Sequence, residues 1–410
     1  MADTAPEPFR VLIAGGGVAG LETCLALRDL AGDRVECTLL TPEDEFVYRP
    51  MLISEPFARG VAHRHHLAEI APRAGATLLR GALASVDDAR RVAVAEDGSE
   101  LSYDALVVAV GAGTEPVYRH ALTWTPEADA DVFGGLLRDI EEGYTKDVAF
   151  VVPLGVAWVL PAYELALMTA WQAESMGRDD LSITIYTPEE APLEVFGAAA
   201  AAALRADLEE VGIQVRTSVQ VVDRDGLVVE PGGEPLRAAR VVALPRAVGR
   251  PLAGLPHDER GFVPCDDHGK VVGTATVWAA GDAIDFPVKQ GGLAAQQADA
   301  AAEAIAALAG ADVKPAPFRP ILRGVLLTGR GKAWLRGPGF GSDEPGEAER
   351  RALFWPPTKI AGRYISPFLA ALDEAEAFGD TPAPSGQPVE LDLERDVPAA
   401  ANALRAARQR

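Results

Sequence analysis

Apolar positions along this chain fall into short strand-length runs separated by longer segments with helical spacing. Phe9 to Ala14 and Val35 to Leu40 are apolar runs; between them lie a glycine loop, Gly15 to Gly20, and an amphipathic stretch, Leu21 to Leu30. This pattern predicts a βαβ unit at the start of the fold. Ala105 to Val110 reads as a buried parallel strand bounded by Gly111 and Gly113. A second unit of the same rhythm begins near Asp147: strand Val148–Val152, helix Pro161–Met176, strand Leu181–Tyr186, helix Ala198–Val211 and strand Ile213–Val222. A short strand, Val277–Ala280, and a long small-residue helix, Gly291–Leu308, follow. Residues 313–372 are rich in Pro, Gly and aromatics and read as a separate module of mixed structure. Residues 379–387 read as a linker, and 397–410 as a short basic helix with a poor apolar face.

Charge narrows the classes of partner. With 60 acidic against 38 basic residues, the net charge of −22 disfavours nucleic acid and anionic membrane surfaces. At 410 residues and 48% hydrophobic content, the chain has material for two or three buried cores. The first ten residues carry acids and prolines rather than a basic and then apolar leader, and no apolar run reaches the length of a membrane helix. The expected address is the cytoplasm.

The first glycine loop carries the most chemistry. Gly15, Gly17 and Gly20 satisfy GxGxxG between a strand and a helix, the context that gives the motif its meaning. The first glycine makes the tight turn, the second admits a pyrophosphate to the backbone, and the third lets helix and strand pack closely. Val18 and Ala19 then offer helix N-terminal N–H groups to the phosphates. A ribose usually takes an acid after the second strand. Glu43 is the candidate here, about two residues later than is commonest; the alternative is that Glu43, Asp44 and Glu45 form a solvated loop.

Four segments in this order resemble the pyridine nucleotide–disulfide oxidoreductase superfamily, in the branch of type II NADH dehydrogenases, sulfide:quinone oxidoreductases and flavocytochrome c sulfide dehydrogenases. They are Gly15–Gly20, Phe46–Leu52 (FVYRPML), Tyr103–Gly113 (YDALVVAVGAG) and Val277–Asp285 (VWAAGDAID), and the resemblance spans roughly residues 9 to 310. It implies FAD as cofactor, with Gly281 and Asp282 at the ribityl chain, Leu83 at the adenine edge, Val110 and Gly111 on the returning segment, and Arg49 and Pro50 towards the isoalloxazine. It also carries Lys289, Gln290 and Gly291 to the flavin's pyrimidine end, where a lysine and a helix N-terminus suit the charge of a reduced ring.

The second unit departs from the family pattern. Relatives that use a nicotinamide carry GxGxxGxE there, whereas Val151–Leu165 (VVPLGVAWVLPAYEL) keeps Gly155 alone, with Pro153, Trp158 and Pro161 intruding. This weakens ordinary NAD(P)H binding and leaves NAD(P)H open as a donor. The glutamate survives as Glu164, expected to face the ring in a polar or acid–base role; the alternative is a first-turn helix glutamate. Cys24, Cys37 and Cys265 form no redox pair of the kind the sulfide and disulfide enzymes need, and the first two read as packing residues. His63, His65 and His66 form a histidine cluster whose spacing suggests a surface rim and no metal. In Gly291–Gln297 (GGLAAQQ), Gln296 matches one glutamine of a quinone-linked helix start.

The expectation is therefore an α/β chain with two Rossmann-like FAD/NAD(P)-binding domains, the second inserted in the first, and a small C-terminal module. The boundaries are 1–118 and 247–312 for the flavin domain, 119–246 for the inserted domain, 313–378 for the C-terminal module and 379–410 for a linker and tail. The function expected is electron transfer from a reduced donor through FAD alone to a quinone or other small acceptor, with Glu164 and Lys289 as catalytic candidates and a homodimer left open. The alternatives are a flavoprotein that has lost nicotinamide use and a non-catalytic redox sensor.

Overall fold

The computed structural model describes residues 7–125, 130–338 and 344–378. Its helices are α1 (Val18–Ala31), α2 (Leu67–Arg73), α3 (Ala130–Glu141), α4 (Leu160–Ser175), α5 (Ala198–Glu210), α6 (Gly291–Leu308) and α7 (Ile365–Phe378). Five parallel strands form the first sheet in the order 277–279, 105–108, 9–14, 35–41, 76–80. Val11 sits between Cys37 and Ala105 in register, and its neighbours Leu12, Ile13 and Ala14 are also buried. Burial on both faces is what a parallel sheet under helices requires. Small residues let α1 and α6 pack side by side over this sheet, with Leu21, Cys24, Leu25, Ala295, Ala301 and Ala302 in one apolar core.

The chain leaves this unit through Gly113–Glu115 and returns through Arg246–Val248, two short strands that pair antiparallel. Between them lies a second parallel sheet ordered 122–123, 240–243, 147–151, 182–186, 214–216. Each parallel sheet is accompanied by a three-stranded antiparallel meander, 83–87/92–95/100–102 in the first unit and 220–223/227–230/234–235 in the second. The architecture is two Rossmann-like units, the second inserted in the first. The C-terminal module adds an antiparallel sheet of 323–327, 332–336 and 347–349, and then α7, whose Leu369 and Leu372 join the core beneath α1.

One expected strand divides. Residues 213–222 form Gln214–Arg216 in the parallel sheet and Gln220–Asp223 in the meander, separated by Ser218 at φ 55°. The Ser218 and Val219 N–H groups there donate to the Glu189 and Thr187 carbonyls at 2.8 and 3.1 Å. A two-residue alternation runs through both pieces, so periodicity alone does not register the corner. The strand expected to reach Val110 ends at Val108, which frees Val110 and Gly111 (φ 70°) for a loop. The linker expected at 379–387 and the helix at 397–410 lie outside the described residues.

Candidate active site

The strands at 9–14, 35–41, 76–80, 105–108 and 277–279 all point their carboxyl ends to one edge of the first sheet, where open α/β sheets bind ligands. Gly15 turns there at φ 119°, its N–H donating to the Leu40 carbonyl at 2.8 Å, and any Cβ on it would strike the Ala109 carbonyl. A Cβ on Gly20 would strike the Gly15 carbonyl. Gly17 differs: its backbone is extended, φ −83°, and a Cβ there would meet nothing within 4 Å. The protein itself therefore gives no reason for glycine at 17, whereas a phosphate against the start of α1 does. Leu21 N–H bonds back to Gly17 at 3.0 Å, and the first-turn N–H groups of Val18 and Ala19 have no carbonyl of the helix to bond.

The second motif is built onto the first. A Cβ on Gly281 would lie 3.0 Å from the Ala19 Cβ, and Ala19, Ala109, Ala280, Ala294 and Ala298 form a floor of small side chains beneath both turns. Gln297 on α6 fixes the turn by accepting the Gly281 N–H at 2.9 Å. Asp282 follows, partly buried. Burial raises its carboxyl pKa, and the positive charges of Lys289 and Arg49 pull it back down. Arg49 and Pro50 open the 3₁₀ segment Arg49–Phe57. Burial lowers Lys289 to about 8, against the opposing pull of Asp282; its ammonium sits 3.9 Å from the centre of the Phe262 ring and donates to the Ile284 carbonyl. Gln290 caps α6 by accepting the Leu293 N–H at 2.9 Å, while its amide donates to the Arg323 carbonyl at 3.1 Å. Gly291 backs onto Ile360, 3.0 Å from where its Cβ would be.

Further out, Glu43 is exposed at an open basin of about 800 Å³ lined also by Pro42, Asp44, Glu45, His66 and Glu69, and the Thr41 hydroxyl donates to its carboxylate at 2.5 Å. Leu83 is buried with Ala14 and Leu40, behind the ends of their strands. The residues expected to hold a dinucleotide thus share one edge of one sheet. The open space at Gly17, the bare helix start and the cation-flanked Asp282 fit FAD.

Glu164 has a different setting. It is buried on α4, and Lys359 from the C-terminal module donates to its two oxygens at 2.6 and 2.7 Å, with the Leu327 N–H adding a third bond at 2.8 Å. Burial raises the Glu164 carboxyl and lowers the Lys359 amine, and each charge offsets the other. Sequence reasoning missed Lys359, since 195 residues separate it from its partner. It also missed a short repeat that was readable: Thr41-Pro42-Glu43 closes one strand and Thr187-Pro188-Glu189 the equivalent strand of the second sheet. Where Glu43 is open, Glu189 is buried, accepting from Tyr163 at 2.6 Å and Thr187 at 2.8 Å. The glycine loop Gly15–Gly17 has as its counterpart the longer Val152–Val159, which delivers Pro161 into the first turn of α4 and packs Trp158 edge-on against Phe196 at 5.9 Å.

The three thiols are free and form no disulfide: Cys24 and Cys37 are buried in one apolar core and Cys265 is half-buried. Burial raises all three, Cys24 well above the usual range and the others to about 12.

Residues 9–304 match the family model described as pyridine nucleotide-disulphide oxidoreductase. The chain belongs to this family. It is accordingly an FAD-dependent oxidoreductase. It is 30% identical over 301 residues to the ferredoxin reductase component of chlorobenzene dioxygenase from Cupriavidus sp. (strain PS12), covering 69% of this chain and 68% of that one. It is 25% identical over 186 residues to the sulfide-quinone reductase of Aquifex aeolicus (strain VF5), 44% of this chain and 43% of that one. In three dimensions it resembles the sulfide:quinone oxidoreductase of Aquifex aeolicus with a TM-score of 0.73 at 18% identity, across 92% of this chain and all of that one. That similarity shows the fold alone. Among the described residues no helix is long and apolar enough to cross a membrane.

Proposed function

We propose that this oxidoreductase takes electrons from a reduced donor and passes them to a quinone or another small acceptor through its FAD alone. The observation that carries this reading is the state of the cysteines. Each thiol is shielded and held in its protonated form, so none is poised to relay electrons. Bound FAD supplies two-electron chemistry at its ring.

The chain's own residues then have assignable work. The first turn of α1 and the open backbone at Gly17 hold phosphate, Glu43 receives a ribose, and Asp282 accepts from hydroxyl groups of the ribityl chain. Lys289 and the N-terminus of α6, capped by Gln290, supply positive potential at the pyrimidine end. Glu164 holds Lys359 in place next to Ile360 and Gly291, which makes it a positioning residue for that wall.

Glu189 favours a second reading of the donor. It occupies the position of the ribose-binding acid in the second sheet, yet its carboxylate is turned inward onto Tyr163 and Thr187. Together with the long Val152–Val159 connection, this supports a donor other than NAD(P)H. Anaerobic stopped-flow mixing with NADH and with NADPH separates the two readings. No flavin bleaching with either supports the non-nicotinamide donor, and bleaching within the turnover time restores NAD(P)H.

A further inference from the structure

His63 and His65 lie two residues apart on an extended segment, so their rings share one face while Arg64 and His66 take the other. The outward pair is committed to the local surface: His66 Nδ1 lies 3.5 Å from Glu45, and Arg64 3.3 Å from Glu55. On the other face α7 brings in Asp373, more than three hundred residues later. Its Oδ1 lies 2.9 Å from His63 Nδ1 and 3.3 Å from His65 Nε2, and the three atoms fall within 4.8 Å of one another. The two rings are nearly parallel, 27° apart with centres at 6.3 Å. Asp373 Oδ1 is closed off from solvent and receives no hydrogen bond. A carboxylate oxygen hidden from water beside two imidazole nitrogens is a place where a bound cation would satisfy all three atoms.

We propose that His63, His65 and Asp373 form a binding site for a divalent transition metal of the zinc class, one that ties α7 to the flavin domain. Two imidazoles and a carboxylate are a ligand set such ions accept. Around a tetrahedral ion with bonds of about 2.0–2.2 Å, ligand atoms stand about 3.3–3.6 Å apart; the His65–Asp373 separation of 3.3 Å already meets this, the His63–Asp373 separation of 2.9 Å has to open by about half an ångström, and the two imidazole nitrogens, within 4.8 Å, have to close on the ion. His65 is buried and gives the site a fixed wall, whereas His63 is exposed and leaves the fourth position to water. The tie would bear on the cofactor cradle. The residue after the 45–47 strand, Tyr48, donates its N–H to the His63 carbonyl at 2.9 Å, and its hydroxyl accepts the Ile360 N–H at 2.8 Å. A metal here would therefore fasten the segment that backs Gly291. The ligands are independent of the identity of the electron donor.

The test is titration of chelator-stripped, full-length protein with Zn²⁺ by calorimetry, with Co²⁺ absorption as a second readout. One equivalent should bind, with a rise in Tm and four-coordinate cobalt bands. Asp373→Asn and His63→Ala, both at partly exposed positions, should each weaken binding at least tenfold and abolish the Tm rise, and His66→Ala should leave both unchanged. No stoichiometric binding by the wild type, binding that survives Asp373→Asn, or equal loss in His66→Ala would each overturn the site.

Discussion

Replacing Gly17 by alanine separates the needs of the fold from those of the ligand. In the other two motif glycines a Cβ collides with backbone, at Ala109 from Gly15 and at Gly15 from Gly20, so variants there confound binding with folding. At Gly17 the added methyl enters open space and the backbone is already in an extended conformation that alanine adopts. Alanine is a poorer N-cap than glycine by roughly 0.5–1 kcal/mol, which the about 0.4–1 kcal/mol gained from a stiffer unfolded chain largely offsets. The net change in apoprotein stability is therefore expected within about 1 kcal/mol. Once a pyrophosphate lies against that backbone, the same methyl overpacks the contact, at about 1–3 kcal/mol. FAD affinity should fall about 5- to 150-fold. Fluorescence titration of apoprotein with FAD, paired with urea unfolding of the same apoprotein, reads both numbers. Unchanged FAD affinity in a normally folded Gly17→Ala protein would refute the placement of phosphate at this turn.

Lys359→Met strands the Glu164 carboxylate in the interior, and urea unfolding should show a loss of about 3–5 kcal/mol that Glu164→Gln in the same chain partly restores; a loss below about 1 kcal/mol would mean that the pair is already neutral. Lys289→Met should lower the two-electron flavin potential by tens of millivolts at neutral pH, where about 30 mV corresponds to 1.4 kcal/mol. Since burial lowers Lys289 to about 8, the gap between variant and wild type should close as the pH rises above that value, and a gap that persists there would exclude Lys289 as its source. Glu22 and Asp299 form a buried, hydrogen-bonded carboxyl pair, with Glu22 accepting the Tyr364 and Ile365 N–H groups at 2.9 and 2.5 Å at the start of α7. Burial raises both, so the folded state holds a proton that the unfolded chain releases. Stability from this pair is present at low pH and lost as pH rises through the raised folded value, with a slope of up to about 1.4 kcal/mol per pH unit for one proton. Asp299→Asn should flatten that slope in pH-dependent urea melts, and an unaltered slope would remove the pair as its cause.

The parallel strands and the helices between them were legible because buried parallel sheets write near-continuous apolar runs, and the dinucleotide edge because its turns demand glycine at Gly15 and Gly20. The GD turn was readable through its resemblance to the family's second flavin motif, an apolar strand ending in Gly-Asp before a small-residue helix, whereas its seat on Ala19 is visible only in the structure. Groups paired across the chain left no such trace. Glu164 reads as an ordinary helix glutamate until the C-terminal module delivers Lys359, and His63 and His65 read as surface until α7 brings Asp373 to them. The corner at Ser218 escaped because strand alternation continues on both sides of it. Glu43 and Glu189 show the limit most clearly, since the same Thr-Pro-Glu ends open in one sheet and covered in the other, and the difference lies in Tyr163, a side chain from another element.

The most direct test of a flavin working without cysteine partners is an anaerobic reductive titration of the holoprotein, followed by flavin absorbance and by electrons consumed. Full reduction should take two electrons per FAD, with no long-wavelength thiolate charge-transfer band at the midpoint. Uptake of four electrons per FAD, or such a band lost on replacing a cysteine by serine, would contradict it.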